Sequence, residues 1–182
     1  MATVLIPLAQ GCEELEAVTV IDILRRAGIE VITAGLLPGP VVASRGTVLL
    51  PDAELGQVLH QAFDMIVLPG GMPGSEHLKN DARVIALMKQ LAASGKYVAA
   101  ICAAPMALHA AGLLQGKNAT SFPGVLDQLP GSHHYCSDAV VVDGNIVTSR
   151  GPGTAMDFAL TLVELLVGKA SRERVESGLE RC

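Results

Sequence analysis

Short apolar runs alternate with stretches of helical spacing along most of this chain. Thr3–Ala9 is a run suited to a buried strand, and Glu13–Ala27 has helix length with Gly28 as a stop. Glu30–Ala34 reads as the next strand. Val41–Ser44 and Thr47–Leu50 flank Arg45-Gly46 as a small hairpin, and Leu55–Gln61 reads as a short helix. Asp64–Leu68 gives a third buried strand, which runs into Pro69-Gly70-Gly71-Met72-Pro73-Gly74. Ala82–Ser94 is a helix, Tyr97–Ile101 a strand, and Ala104–Ala111 a helix ending near Gly112. The last third is less regular. Ala139–Val142 and Ile146–Ser149 form a hairpin around Asp143-Gly144-Asn145, Ala155–Val167 is a strongly apolar helix, and Ser171–Leu179 is a short polar one.

Strands separated by helices imply an α/β fold with a mostly parallel central sheet covered on both faces. Such sheets bind ligands beyond the carboxyl ends of their strands. Three segments fall there: Gln10–Glu16, Gly70–Gly74 and Cys102–Pro105. A length of 182 residues at 50% hydrophobic content predicts a single domain over 1–182, with no linker and no internal repeat. No apolar run approaches the roughly 20 residues that cross a bilayer. The opening Met-Ala-Thr-Val-Leu-Ile-Pro-Leu lacks the basic region of a secretory signal, so a cytoplasmic protein with no membrane partner is expected. A net charge of −5, two Tyr, three Phe and no Trp argue against sequence-specific nucleic-acid binding and for a small ligand.

The four cysteines, Cys12, Cys102, Cys136 and Cys182, form no C-x-x-C pair and no zinc spacing, so free thiols and no metal are expected. Adjacent His133 and His134 point to opposite sides of an extended chain, with no third ligand evident. Cys102 stands where an apolar strand meets a helix. Either it projects towards the helix N-terminus as a stabilised thiolate nucleophile, or it is a small buried hydrophobe. Glu16 shares helical spacing with Val20, Ile23 and Ala27 on an inward face. There a desolvated carboxyl would keep its proton near neutrality; the alternative is a first-turn acid that complements the helix dipole, as Glu13 and Glu14 can. The glycine-rich segment is Gly-Gly-Met-Pro-Gly, not G-x-G-x-x-G, so a nicotinamide site is disfavoured. Its paired glycines and the Ala103 N–H suit an oxyanion hole, and a structural turn explains the glycines equally well.

Four segments in order, Gly11-Cys12-Glu13-Glu14-Leu15-Glu16, Leu68-Pro69-Gly70-Gly71, Ala100-Ile101-Cys102-Ala103-Ala104-Pro105 and Thr148-Ser149-Arg150-Gly151-Pro152-Gly153-Thr154, resemble the ThiJ/PfpI superfamily. Within it, the chain is similar to the branch of the parkinsonism-associated deglycase and bacterial YajL. The resemblance implies a flavodoxin-like three-layer sandwich that forms a homodimer, with Cys102 on a strained elbow and Glu16 as its protonated partner. It also implies that Gly71 and Ala103 offer N–H groups to the pocket, that Arg45 approaches the pocket near the subunit boundary, and that Arg26 lies in a dimer-contact helix. Arg150 is expected to clamp structure, and no cofactor is implied.

The implied activity is cysteine-dependent, glutathione-independent conversion of methylglyoxal or glyoxal to lactate or glycolate, with deglycation of early adducts on proteins and nucleotides. An oxidative-stress sensor or chaperone acting through oxidation of Cys102 is the alternative, with Cys12 as a possible resolving thiol. The protease-like branch carries His directly after the cysteine; here Ala103 stands there, which disfavours peptidase chemistry. The pocket histidine before a proline in some relatives is replaced in Phe122-Pro123. His109 lies about 10 Å of helical rise from Cys102. An amidotransferase-like hydrolase would need His133 or His134 brought to the thiol.

Overall fold

The computed structural model describes residues 1–181. The chain runs β1 (Thr3–Leu8), α1 (Glu14–Arg26), β2 (Glu30–Gly35), β3 (Val41–Val42), β4 (Val48–Leu49), β5 (Ala53–Glu54), α2 (Leu55–Val58), β6 (Met65–Leu68), α3 (Gly74–Asn80), α4 (Ala82–Ala93), β7 (Tyr97–Ile101) and α5 (Pro105–Ala110). There follow β8 (Asn118–Ala119), β9 (His134–Tyr135), β10 (Val140–Asp143), β11 (Ile146–Ser149), α6 (Ala155–Val167) and α7 (Lys169–Ser177). The seven-stranded sheet has the order β10-β11-β7-β6-β1-β2-β5, parallel except for β10, which pairs antiparallel with β11.

Burial on both faces accounts for the near-continuous apolar strands. In β1, Val4, Ile6 and Leu8 join the core under α1 and α6, while Leu5 joins the core under α2 to α5. In β7, Ala99 and Ile101 face the first core, and Val98 and Ala100 the second. α1 lays Ala17, Val20, Ile23 and Leu24 into the first core, and Phe158, Leu162 and Val163 of α6 pack there too. No described helix is long and apolar enough to cross a membrane.

The β3–β4 hairpin and the β10–β11 hairpin form where the alternation places them. Some element ends differ from the sequence reading. The helix expected over Leu55–Gln61 is helical only to Val58, and then closes as a turn through Gln61 N–H to Val58 O. The last helix begins two residues earlier than expected and ends at Ser177. Three features carry no periodic signal: the short edge strand β5, the helix α3 that emerges from the Gly/Pro segment, and the β8–β9 pair in the irregular region.

Candidate active site

β7 sits inside the sheet, so its carboxyl end delivers the next residue, Cys102, to the centre of the ligand-binding edge. Cys102 has φ 63°, a left-handed conformation that costs a non-glycine residue about 1–2 kcal/mol. Its backbone is held at both ends: its N–H donates to Ser149 O at 2.9 Å, and its O accepts the Phe122 N–H at 2.8 Å. Strands on one side and the 120–122 segment on the other thus maintain an elbow that the local chain would not adopt alone.

Glu16, on the first turn of α1, is fully buried. Its Oε2 accepts the Gly70 N–H at 2.8 Å, while its Oε1 has no hydrogen-bond partner among the described residues. Burial pushes the carboxyl up from 4.5 to about 7; the Gly70 N–H and the neighbouring Cys102 thiol pull the other way and do not prevail. The inward-face expectation for Glu16 is therefore the one the packing realises, and the helix-dipole alternative falls to Glu14, whose carboxylate meets the hairpin instead.

Two glycines make the close approach possible. A Cβ on Gly70 would lie 2.6 Å from the Cys102 Cβ and 2.7 Å from Glu16 Oε2, so the backbone passes directly between the two functional side chains. Gly71, at φ 87°, turns its N–H towards the thiol, and a Cβ there would sit 2.6 Å from Gly11 O. The Ala103 N–H faces the same sulfur. Both N–H groups that the sequence reading assigned to the pocket thus lie at the sulfur.

The thiol departs from the simple helix-terminus picture. Burial first, then the Glu16 carboxylate, push Cys102 from 9.0 up to about 12, and the Gly71 and Ala103 N–H groups only partly offset this. α5 is six residues long and adds little dipole to counter it. The thiolate thus belongs to the state in which Glu16 carries the proton, because protonation removes the repelling charge and turns an O–H donor towards Sγ. The acid, more than the helix, sets the charge state of the Cys102 sulfur.

The remaining candidates are dispersed. Arg45 is exposed; its backbone N–H is fastened to Glu14 at 3.0 Å, and the structure does not bring its guanidinium into a hydrogen bond at Cys102. Arg26 pairs with Asp22 at 2.7 Å on the outer face of α1. Arg150 holds Ser137 O at 3.1 Å through its side chain and Ala139 O through its N–H, the clamp expected of it. His133 is committed to Leu126 O at 2.9 Å, and packs edge-on to His109, which contacts Pro130 O at 2.7 Å. No bond joins either ring to Cys102, so the hydrolase arrangement is not assembled. His134 lies in β9 beside Asn118.

Cys12 is fully buried, its thiol pushed up to about 11 by burial and nearby carboxylates, which makes it a poor resolving thiol at rest. Cys12, Cys102 and Cys136 are all free. Cys182 lies outside the described residues. Among the described residues no three His, Cys, Asp or Glu side chains are grouped to hold a metal ion.

Sequence reasoning missed three site residues. The Gly70 N–H, rather than Gly71, anchors Glu16; the paired glycines were the signal but not the assignment. Phe122 donates its N–H to Cys102 O, and a Cβ on Gly151 would lie 4.0 Å from Cys102 Sγ. Phe122 was visible only as a departure from a histidine pattern, and Gly151 only as part of a motif.

A model of the DJ-1/PfpI family matches residues 2–165. The chain is 46% identical over 177 residues to protein dj-1beta of Drosophila melanogaster, covering 96% of this chain and 95% of that protein. The crystal structure of Drosophila melanogaster DJ-1beta superposes with a TM-score of 0.96 at 44% identity, over 100% of this chain and 98% of the other. A relative from Caenorhabditis elegans, named glutathione-independent glyoxalase DJR-1.2, is 38% identical over 168 residues, spanning 92% of this chain and 89% of that protein.

Proposed function

The chain belongs to the DJ-1/PfpI family, and from that premise we propose that it converts small dicarbonyl aldehydes to hydroxy acids through Cys102 and Glu16, without glutathione or metal. The observation that carries this is the buried Glu16 carboxyl next to the Cys102 thiol, with one oxygen bonded to the Gly70 N–H and the other without a hydrogen-bond partner among the described residues. A group raised to about 7 can both give and take a proton at neutral pH.

For methylglyoxal, Sγ adds to the aldehyde carbon, and the thiol proton is delivered to the aldehyde oxygen, giving a hemithioacetal. The Gly71 and Ala103 N–H groups stabilise charge on that oxygen as it develops. Glu16 as carboxylate removes the hydrogen from the former aldehyde carbon, and returns a proton to the neighbouring carbon as the enediol collapses. The first carbon is oxidised and the second reduced, so no external redox partner is needed. Water hydrolyses the resulting thioester to lactate and free thiol. Release of dicarbonyl from early glycation adducts on proteins or nucleotides would draw on the same two groups.

The test is lactate formation from methylglyoxal by purified protein without glutathione. Cys102→Ser and Glu16→Gln are each expected to lose at least about 100-fold in kcat/KM. Wild-type rates in either variant would end the proposal.

The unpartnered Oε1 also favours a second reading, in which oxidised Cys102 is held by Glu16 and the protein responds to peroxide. Peroxide-dependent, Cys102-dependent protection of a client from aggregation, without aldehyde turnover, would select it.

A homodimer is proposed on the face opposite the α1–α6 packing. Leu15, Val18, Asp22 and Arg26 share one helical stripe, and Leu15 and Val18 are half-exposed. Val48 and Val42 of the adjoining hairpin are exposed as well, and Arg45 stands beside them. Such an exposed apolar surface suits a second copy of the chain.

A further inference from the structure

A separate cleft opens at the carboxyl ends of β1 and β2, on the edge of an open α/β sheet where ligands bind. It holds about 250 Å³, and none of the groups around Cys102, namely Glu16, Gly70, Gly71 and Ala103, lines it. Leu8, Ala9 and Val41 supply buried apolar lining, which Leu36 and the exposed Leu37 complete. The polar side of the cleft comes from the junction of α3 and α4, through His77, Asn80, Asp81 and Arg83.

Most of these polar groups are already engaged. Asp81 caps α4 by accepting the N–H groups of Arg83 and Val84, and it also takes the Arg83 side chain, Nε to Oδ1 at 3.0 Å and Nη2 to Oδ2 at 2.6 Å. Carboxylate and guanidinium cancel and the start of the helix is capped, so neither sign of ligand charge is favoured. Gln10 is equally committed: Nε2 donates to Pro40 O at 2.9 Å, and Oε1 accepts the Val42 N–H at 2.8 Å. His77 and Asn80 differ. Their side chains take part in no hydrogen bond among the described residues.

Arg83 Nη2 also donates to Leu36 O at 2.9 Å, so three bonds in the guanidinium plane fix that plane and leave its face unused. A fixed guanidinium face stacks on aromatic rings. The Asn80 carboxamide on the same lining presents a donor and an acceptor together, which matches the edge of a primary amide or a lactam. Volume sets the size. The cleft falls below the roughly 300–1,000 Å³ of pockets for drug-sized ligands, which suits one or two rings and excludes a dinucleotide or a long acyl chain.

We propose that this cleft binds an uncharged aromatic molecule of one or two rings bearing an amide-like edge, with the ring stacked on Arg83 and the edge paired with Asn80. The site is separate from the Cys102 chemistry and does not depend on it.

Titrations followed by nitrogen–proton correlation spectra test this with three probes of similar size: benzamide, cyclohexanecarboxamide, which lacks the flat ring, and benzoate, which carries a charge. Benzamide is expected to shift the backbone amides of residues 8–10 and 77–84 saturably, and the other two to bind at least about fivefold more weakly. Arg83→Lys keeps the cation and loses the plate, and should bring benzamide down to the level of cyclohexanecarboxamide. Asn80→Ala should weaken benzamide about threefold to tenfold. Should Arg83→Lys disturb the fold, Leu37→Asp replaces an exposed residue that belongs to neither core, and should still cut benzamide binding about fivefold through lost apolar contact. Equal binding of the three probes overturns the proposal, as do benzamide shifts that never saturate or that centre on residues 102–105. Any of these variants that folds and keeps wild-type benzamide affinity overturns it too. Lactate formation does not enter this readout, so its presence or absence bears only on the dicarbonyl reading.

Discussion

Glu16→Gln isolates the electrostatic state of the site, because the amide keeps an acceptor for the Gly70 N–H and abolishes the ionisation. In the wild type, the carboxyl moves from 4.5 to about 7 on burial, so the folded state holds its proton more tightly than the unfolded chain does. Its stabilising contribution is therefore complete below about pH 4.5 and declines as pH rises through 7. Between pH 5 and pH 8 the loss amounts to about 2 to 3 kcal/mol. For a chain of this length that is roughly 5 to 10 °C in Tm. Thermal melts of both proteins at the two pH values provide the assay, since the other ionisable groups are shared and cancel in the difference. The gap between variant and wild type is expected to shift by that amount in the variant's favour from pH 5 to pH 8. A gap of equal size at both values would mean that Glu16 does not hold a proton at neutrality in the folded protein, and its proposed acid–base role would fail.

Gly70→Ala places a Cβ 2.6 Å from the Cys102 Cβ and 2.7 Å from Glu16 Oε2. It should destabilise by about 1–3 kcal/mol in denaturant titration and separate Cys102 from Glu16; a normal melt with normal lactate formation would contradict this. Glu14, despite partial desolvation, is held down to about 2 by N–H groups of its own backbone, Arg45 and Thr47. Glu14→Ala should therefore raise amide hydrogen exchange at Arg45 and Thr47 at least about tenfold, whereas unchanged protection would show that the hairpin is held by other contacts. Val18→Asp buries a charge in the proposed subunit contact, and should convert dimer to monomer in sedimentation velocity; an unaltered sedimentation coefficient moves the interface elsewhere.

What the sequence determined by itself is the layered α/β fold and the two candidate groups, Cys102 and Glu16. Continuous apolar runs at β1, β6 and β7 and the inward stripe of α1 are local periodicities, and any chain bearing them must bury them between helices and sheet. Cys102 was conspicuous because a strand ends there, and Glu16 because a charge interrupts an apolar face. Local pattern failed for α3, whose Gly/Pro-rich start carries no helical signal, and for β8 and β9, which pair across an intervening fourteen residues.

Tertiary structure alone decided how these groups act on one another. The burial that raises Glu16, the Gly70 N–H fifty-four residues away that orients it, and the Phe122 N–H that holds Cys102 O all depend on segments far apart in the chain. Proton affinity and approach geometry are properties of an enclosed volume. No window of neighbouring residues contains that volume until the sheet brings its strand ends together.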